Sequence, residues 1–257
     1  MVPKKIHIFW HDLNEIPSIV HKFIENIKKI NYDFDVEIYS MKDFPFKINK
    51  NVIPEYKSDI FRLYILYKEG GIYIDASSIF LKNIKEFIDL NDNRLQLYTN
   101  LKGHIIENWF LVSPPKNKII YNWLIQVLLV QSVGINKYIK YNKKFSNPYL
   151  NKELPYLVNF LAFNVAYNKL QNKNSKIINS NKYIKNLGLA GDDYNPLYYL
   201  KLNNWNRKKG IEYLLNNKKF KENFIKLRGP ERRLFIKSID NHNYNKNSYI
   251  IQLLNIE

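Results

Sequence analysis

Between Pro54 and Asp75 the chain changes its period within a few residues. Ile60, Phe61, Leu63, Tyr64, Leu66 and Tyr67 recur at the spacing of one helix face. Gly70-Gly71 then stops the pattern, and Ile72-Tyr73-Ile74 follows as an unbroken apolar run that ends on Asp75. Glycine just past a helix end takes the left-handed backbone that other residues resist. A short apolar run without polar alternation reads as a buried strand. Helix, tight turn and buried strand in direct succession indicate an α/β fold. In open α/β sheets ligands collect beyond the carboxyl ends of strands, so a carboxylate at position 75 is placed to work.

The rest of the N-terminal half agrees. Lys5 to Trp10 is an apolar run, Pro17 opens a helix-spaced set (Val20, Phe23, Ile24, Ile27, Ile30), and Val36 to Tyr39 reads as a second strand. This is the start of a βαβ layout. Leu95 to Thr99 and Trp109 to Val112 read as two more strands. Ser113-Pro114-Pro115 punctuates, and Lys118 to Val133 is a long helix. After about residue 135 the pattern turns helical and polar, with helices expected over Leu154 to Leu170 and from Pro196 to Leu202. Asp192-Asp193 stand where an N-cap of the latter would be expected. The Asn-rich stretch 171–181 reads as a surface connection. No repeat or long linker divides the chain, so one domain is expected over 1–257, with a core over about 1–135 and a mostly helical part over about 136–257.

Several function classes are excluded by composition. The chain has no cysteine, which removes disulfide scaffolds, thiolate metal sites and cysteine nucleophiles. The most apolar stretch, Ile119 to Ile135, is broken by Asn122, Gln126 and Gln131, and it is shorter than the roughly 20 residues of a membrane span. It reads as a buried core helix. The N-terminus runs straight into a strand pattern, so no signal peptide is expected. These features point to a cytoplasmic protein, or to the host cytoplasm if the source is viral. The net charge of +17, from 40 Lys+Arg against 23 Asp+Glu, raises nucleic acid as a partner. Against it, the lysines are spread rather than grouped between aromatics, and Lys, Asn, Ile and Tyr are the residues that AT-rich codons favour. No nucleic acid partner is expected.

Asp59 and Arg62 lie three apart and share a helix face. Their helix leads back into the strand that presents Asp75, so two acids and a guanidinium are expected to meet in one crevice. Taken singly, each has a plainer reading: a surface Asp59–Arg62 ion pair, and an Asp75 that caps a turn. The joint spacing favours a functional set. Arginine is rare here, with six in all (62, 94, 207, 228, 232 and 233), yet three fall within 228–233. Clustered arginine suits the bidentate recognition of phosphate. His7 reads as structural, and His104 and His242 as surface residues. Trp109 and Trp205 read as apolar anchors.

The block Ser58-Asp59-Ile60-Phe61-Arg62 followed by Tyr67-Lys68-Glu69-Gly70-Gly71-Ile72-Tyr73-Ile74-Asp75 resembles that of sugar transferases carrying the D-x-D signature. The capsular polysaccharide synthesis proteins are the nearest in pattern, with the yeast-type mannosyltransferases and the clostridial glucosylating toxins more distant. The opening Ile6-His7-Ile8-Phe9-Trp10-His11 with Ile16-Pro17, and the segment Glu107-Asn108-Trp109-Phe110, resemble the same group. The likeness covers about residues 5–125.

What the resemblance implies is a GT-A fold: one Rossmann-like domain that uses a nucleoside-diphosphate sugar, UDP-linked first and GDP-linked next. The acceptor would be a glycan or other hydroxyl compound, and the outcome retaining. Asp59, Arg62 and Asp75 would be catalytic. Asp59 and Arg62 would hold donor sugar hydroxyls, Asp75 the ribose or a metal, and Trp10 and His11 the base. Tyr73, Ser77, Glu107 and Asn108 would complete donor binding. The arginine cluster itself, apart from the resemblance, puts Arg228, Arg232 and Arg233 on the diphosphate, from a segment expected to be mobile when empty because its like charges repel. Mn²⁺ or Mg²⁺ would be held with the donor by Asp75, with Ser77 as a further ligand; His242, by its place near the C-terminus and apart from the resemblance, is the other candidate ligand. Ser77 stands where the second Asp of the signature belongs, which weakens a metal held by protein alone. A degenerate protein that binds nucleotide or glycan without turnover is the alternative reading. As a functional residue, Asp75 is expected to tolerate replacement by Ala with little change in melting temperature.

Overall fold

The computed structural model describes residues 1–45, 54–100, 103–154, 156–171 and 182–256. In chain order its strands are β1 (Lys5–Phe9), β2 (Asp35–Tyr39), β3 (Gly71–Ile74), β4 (Ser78–Phe80), β5 (Leu95–Asn100), β6 (Ile105–Ser113), β7 (Ile184–Leu189) and β8 (Phe224–Lys226). Its helices are α1 (Ser18–Ile30), α2 (Pro54–Lys68), α3 (Lys118–Val133), α4 (Ile135–Asn142), α5 (Pro148–Glu153), α6 (Val158–Gln171), α7 (Tyr198–Leu202), α8 (Arg207–Asn216), α9 (Gly229–Asp240) and α10 (Tyr249–Leu253). The α/β class expected from the sequence is borne out. The chain divides into two compact units: Met1–Leu13 with Asp35–Ile74 and Ile88–Leu189, and Asn14–Phe34 with Asp75–Phe87 and Ala190–Glu257.

The first unit is built on a six-stranded sheet in the order β2-β1-β3-β6-β5-β7. β1 runs parallel to β2 and β3, with Ile6 opposite both Val36 and Ile72. β6 is antiparallel to β3 and β5, and β7 is parallel to β5. All four residues of β3 are buried, as its apolar run requires. The core is aromatic: Phe9 stacks on Phe61 at 4.9 Å, and Trp123 of α3 meets Phe163 of α6 edge-on at 4.9 Å. The one polar atom of the Trp123 ring is satisfied, its Nε1 donating to Asn159 Oδ1 at 2.8 Å. α3 covers the span read from the sequence, and among the described residues no helix is long and apolar enough to cross a membrane.

The Gly70-Gly71 turn is required by contact as well as by backbone angle. Their φ values are +70° and +96°. A Cβ on Gly70 would lie 2.6 Å from Pro115, and one on Gly71 would lie 2.7 Å from the Lys5 carbonyl oxygen. The Gly70 carbonyl accepts from Nε2 of the buried His7 at 2.8 Å. Burial lowers the His7 pKa, consistent with a neutral structural imidazole that ties β1 to the turn. Gly70→Ala is expected to cost at least about 2 kcal/mol, from left-handed strain plus the Pro115 clash, read as a lower urea midpoint with unchanged m-value.

The second unit pairs β4 with β8 antiparallel, setting Ser78 opposite Lys226 and Phe80 opposite Phe224, whose rings stack at 4.7 Å. α1 packs on β4, and the buried Asn26 serves both backbone groups of Phe80, donating to its carbonyl at 3.1 Å and accepting from its N–H at 2.6 Å. The C-terminal half holds β7 and β8 among its helices, and two expectations change here. The helix expected from Leu154 begins at Val158. The Asp192 side chain accepts from Lys201 at 2.8 Å instead of capping α7, whose N-cap position is Leu197. Residues 226–233 are the end of β8 and the start of α9. The connection expected over 171–181 lies outside the described residues from 172 onward.

Candidate functional site

α2 carries Ser58, Asp59 and Arg62 on one face because positions three and four apart superpose on a helix. Arg62 is 5% exposed, and each part of its fork is used. Nη1 donates to the Asn108 carbonyl at 2.6 Å, Nη2 to Ser58 Oγ at 2.9 Å, and Nε to the Ser58 carbonyl at 3.3 Å. Nη2 also lies 3.3 Å from the Asp59 carboxylate. The guanidinium sits over the Tyr73 ring, 4.7 Å from its centroid, and the Tyr73 hydroxyl bonds Ser58 Oγ at 2.8 Å. Asn108 Nδ2 donates to Asp59 Oδ1 at 3.0 Å. Arg62 therefore holds Asp59 and Asn108 from behind. The Asp59 side chain keeps 14% of its surface exposed.

Glu107 and Asn108 stand within β6, which begins at Ile105, earlier than the strand read over Trp109 to Val112. Glu107 is 8% exposed and accepts from Asn100 Nδ2 at 2.9 Å and from Trp109 Nε1 at 2.5 Å. It is thus engaged within the fold. Trp10 and His11 follow β1 directly. Their rings tilt together at 6.1 Å, and the Trp10 N–H extends the β1–β2 ladder onto the Tyr39 carbonyl at 2.9 Å.

In the second unit, Asp75 is the residue next in the chain after β3. Among its partners is the lysine at the head of the cationic stretch 226–233. Lys226 Nζ lies 2.7 Å from Asp75 Oδ2 and 2.8 Å from Ser77 Oγ. Lys226 is 3% exposed, Ser77 4%, and the Asp75 side chain 28%. The lysine backbone is held on both sides: its N–H donates to the Pro196 carbonyl at 3.1 Å, and its carbonyl accepts from the Tyr199 hydroxyl at 3.0 Å. The Leu227 N–H donates to the Ser77 carbonyl at 3.0 Å.

The arginine cluster is divided. Arg228 grips Glu231 with Nε at 3.1 Å and Nη2 at 2.9 Å, and Arg207 reaches the same carboxylate at 3.1 Å. Glu231 is fully buried, so Arg228 neutralises an internal acid. Arg232 is half-buried and Arg233 exposed on α9. His242 is exposed just past α9, its ring tilted against Tyr244 at 6.1 Å. Trp205, expected as an anchor, is 46% exposed.

Among the described residues, two places bear on a metal. His7, Glu37 and Glu69 offer ligand atoms within 4.8 Å of one another. Lys5 Nζ already lies 2.7 Å from Glu37 and 3.0 Å from Glu69, and the hydrogen bonds it donates to those acids raise its pKa. The cation there is the chain's own. At positions 75–77 the donor set is one carboxylate and one hydroxyl, with an ammonium between them. A hard divalent ion takes six or more oxygens, so this set does not fit one held by the protein alone.

Residues 2–95 match the glycosyltransferase sugar-binding region containing DXD motif. An uncharacterized glycosyltransferase of Acanthamoeba polyphaga mimivirus is 34% identical over 103 residues, which is 35% of this chain and 41% of that protein. The chain thus spans less than half the length of the curated relative that it matches. Among solved structures, a glycosyltransferase involved in glycosylation of the major capsid of PBCV-1 is 11% identical, with 90% of this chain and 98% of that one covered at a TM-score of 0.45. The PaToxG glycosyltransferase is 19% identical, over 65% of this chain and 78% of that one, at a TM-score of 0.42.

Proposed function

From the match of residues 2–95 to a glycosyltransferase sugar-binding region, we propose that this chain moves a sugar from a nucleoside-diphosphate sugar to a hydroxyl of a glycan or related acceptor. The observation that carries the reading is the Asp59–Asn108 pair on its Arg62 anchor. A carboxylate fixed by a buried guanidinium and an amide, with part of its surface open, is suited to accept hydrogen bonds from sugar hydroxyls in one orientation. Arg62 acts by positioning these two groups. Trp10 and His11, half-buried after β1, take the nucleotide base, and Tyr73 keeps the guanidinium in plane. Asp75 acts on the ribose or the diphosphate. Glu107 orients the Trp109 indole. Arg232 and Arg233 on α9 act on the diphosphate, with Arg228 held on Glu231 beside them. UDP-linked donors are favoured over GDP-linked ones, with retention at the anomeric carbon.

A thermal-shift screen across UDP-, GDP-, CMP- and dTDP-sugars, each with EDTA or MnCl₂, tests this reading. One nucleotide class is expected to stabilise the protein, by about 2.7 kcal/mol at a hundredfold excess over Kd. The stabilising nucleotide sugar should also be hydrolysed slowly, releasing free sugar. Binding without any hydrolysis or transfer would mark a non-catalytic binder. No response to any of the four classes would overturn the donor reading itself.

A further inference from the structure

We propose that Lys226 takes the place of the divalent cation at the 75–77 motif, so that this chain binds a nucleoside diphosphate without a metal. The inference rests on the donor reading above. It starts from charge. Two carboxylates with a divalent cation are neutral together, and so are one carboxylate with one ammonium. The chain carries Ser77 where the second acid would stand, and Lys226 Nζ lies within 2.8 Å of both Asp75 Oδ2 and Ser77 Oγ. One negative charge fewer is matched by one positive charge fewer, at the same two positions.

The burial of Lys226 supports the assignment. Removing an ammonium from water costs several kcal/mol, and the partly exposed Asp75 carboxylate and the Ser77 hydroxyl are among the groups that offset it. A methionine would fill the same space without that cost, so stability alone gives no reason for a charge there. Nor is the lysine a surface side chain that has drifted onto an acid. It is 3% exposed, pairs with Ser78 in the β4–β8 ladder, and is bonded through its backbone to Pro196 and Tyr199. The ammonium is fixed before any ligand arrives, which is what electrostatic stabilisation of a leaving group requires. In transfer, the bond between the anomeric carbon and the β-phosphate oxygen breaks and its electron pair stays on that oxygen. The acceptor oxygen forms the new bond and loses its proton to water. Lys226 keeps its protons throughout and supplies positive charge to the departing diphosphate.

The test is isothermal titration of the full chain with UDP, and with GDP, in EDTA and in MnCl₂. Wild-type Kd is expected to agree within about twofold between the two conditions, a difference below about 0.5 kcal/mol. Lys226→Met should weaken binding in EDTA by about 10- to 100-fold, the loss of one charged hydrogen bond. The double variant Lys226→Met with Ser77→Asp restores two acids and removes the ammonium, and its binding should recover in MnCl₂ but not in EDTA. If Lys226→Met fails to fold, the wild-type comparison and a direct Mn²⁺ titration of the free protein by electron paramagnetic resonance still decide the matter. The free protein should show no Mn²⁺ site that depends on Asp75. Wild-type binding that needs MnCl₂, or a tight Asp75-dependent Mn²⁺ site, overturns the proposal and leaves the donor reading standing. Absence of UDP and GDP binding in both conditions overturns both.

Discussion

Asp75→Ala is expected to lose donor-sugar hydrolysis and stability together. Turnover should fall by about 10²- to 10³-fold, the size of effect seen when one preorganised hydrogen-bonding group is removed from a reacting centre. Sequence reasoning alone expects the melting temperature to hold. The structure changes that expectation, because Asp75 is the carboxylate partner of an ammonium that is 3% exposed. Taking the carboxylate away leaves a buried cation with Ser77 Oγ as the remaining motif partner. The cost should be about 3 kcal/mol, at the low end for a broken buried pair because Asp75 itself is 28% exposed. Adding Lys226→Met to Asp75→Ala should recover most of the stability and none of the turnover. Thermal melts combined with hydrolysis per folded molecule separate the two effects. Preserved activity per folded molecule in Asp75→Ala would remove position 75 from the chemistry.

Arg62→Ala is expected to be the most destabilising change in α2, at about 3–5 kcal/mol, since it leaves a largely buried Asp59 and the Asn108 carbonyl without the group that binds both. The loss should extend to the donor, with affinity falling as Asp59 and Asn108 lose their shared anchor. Arg62→Lys keeps the charge but offers no planar fork to serve Ser58, Asn108 and Asp59 while lying over Tyr73. It is expected to regain less than half of the lost stability. Urea denaturation gives the first number and nucleotide-sugar titration the second. A change in stability below about 0.5 kcal/mol in Arg62→Ala, the range of ordinary surface substitutions, would mean that the network is not what holds Asp59 in place.

The elements legible in the amino-acid sequence share one property: their signals are local. α3 is readable to its ends because Asn117 caps it, its apolar positions recur at helix spacing, and Gly134 follows it. The α2–Gly70-Gly71–β3 unit is readable because period, breaker and apolar run lie within about one helix length. The Asp59–Arg62 relationship comes with the helix. β6 reads too short because Glu107 and Asn108 interrupt its apolar pattern. Their polarity is satisfied by side chains outside that pattern, Asn100 for one and Asp59 for the other.

The sequence by itself therefore determined the α/β class, the turn that delivers β3, and the identity of the acids at 59 and 75. Each of these follows from backbone preference and hydrophobic period over a short window. Only the tertiary structure decided what Asp75 is paired with. β4 and β8 are three residues each, too short to announce themselves, and their pairing joins Ser77 and Asp75 to a lysine about 150 positions away. The same holds for Glu231, whose burial commits Arg228 and Arg207 to neutralising it and takes one arginine out of a cluster that composition alone assigns to phosphate. A buried charge is set by the nearest opposite charge and by its distance from water. Neither is a property of neighbouring residues in the chain, so packing alone selects the partner.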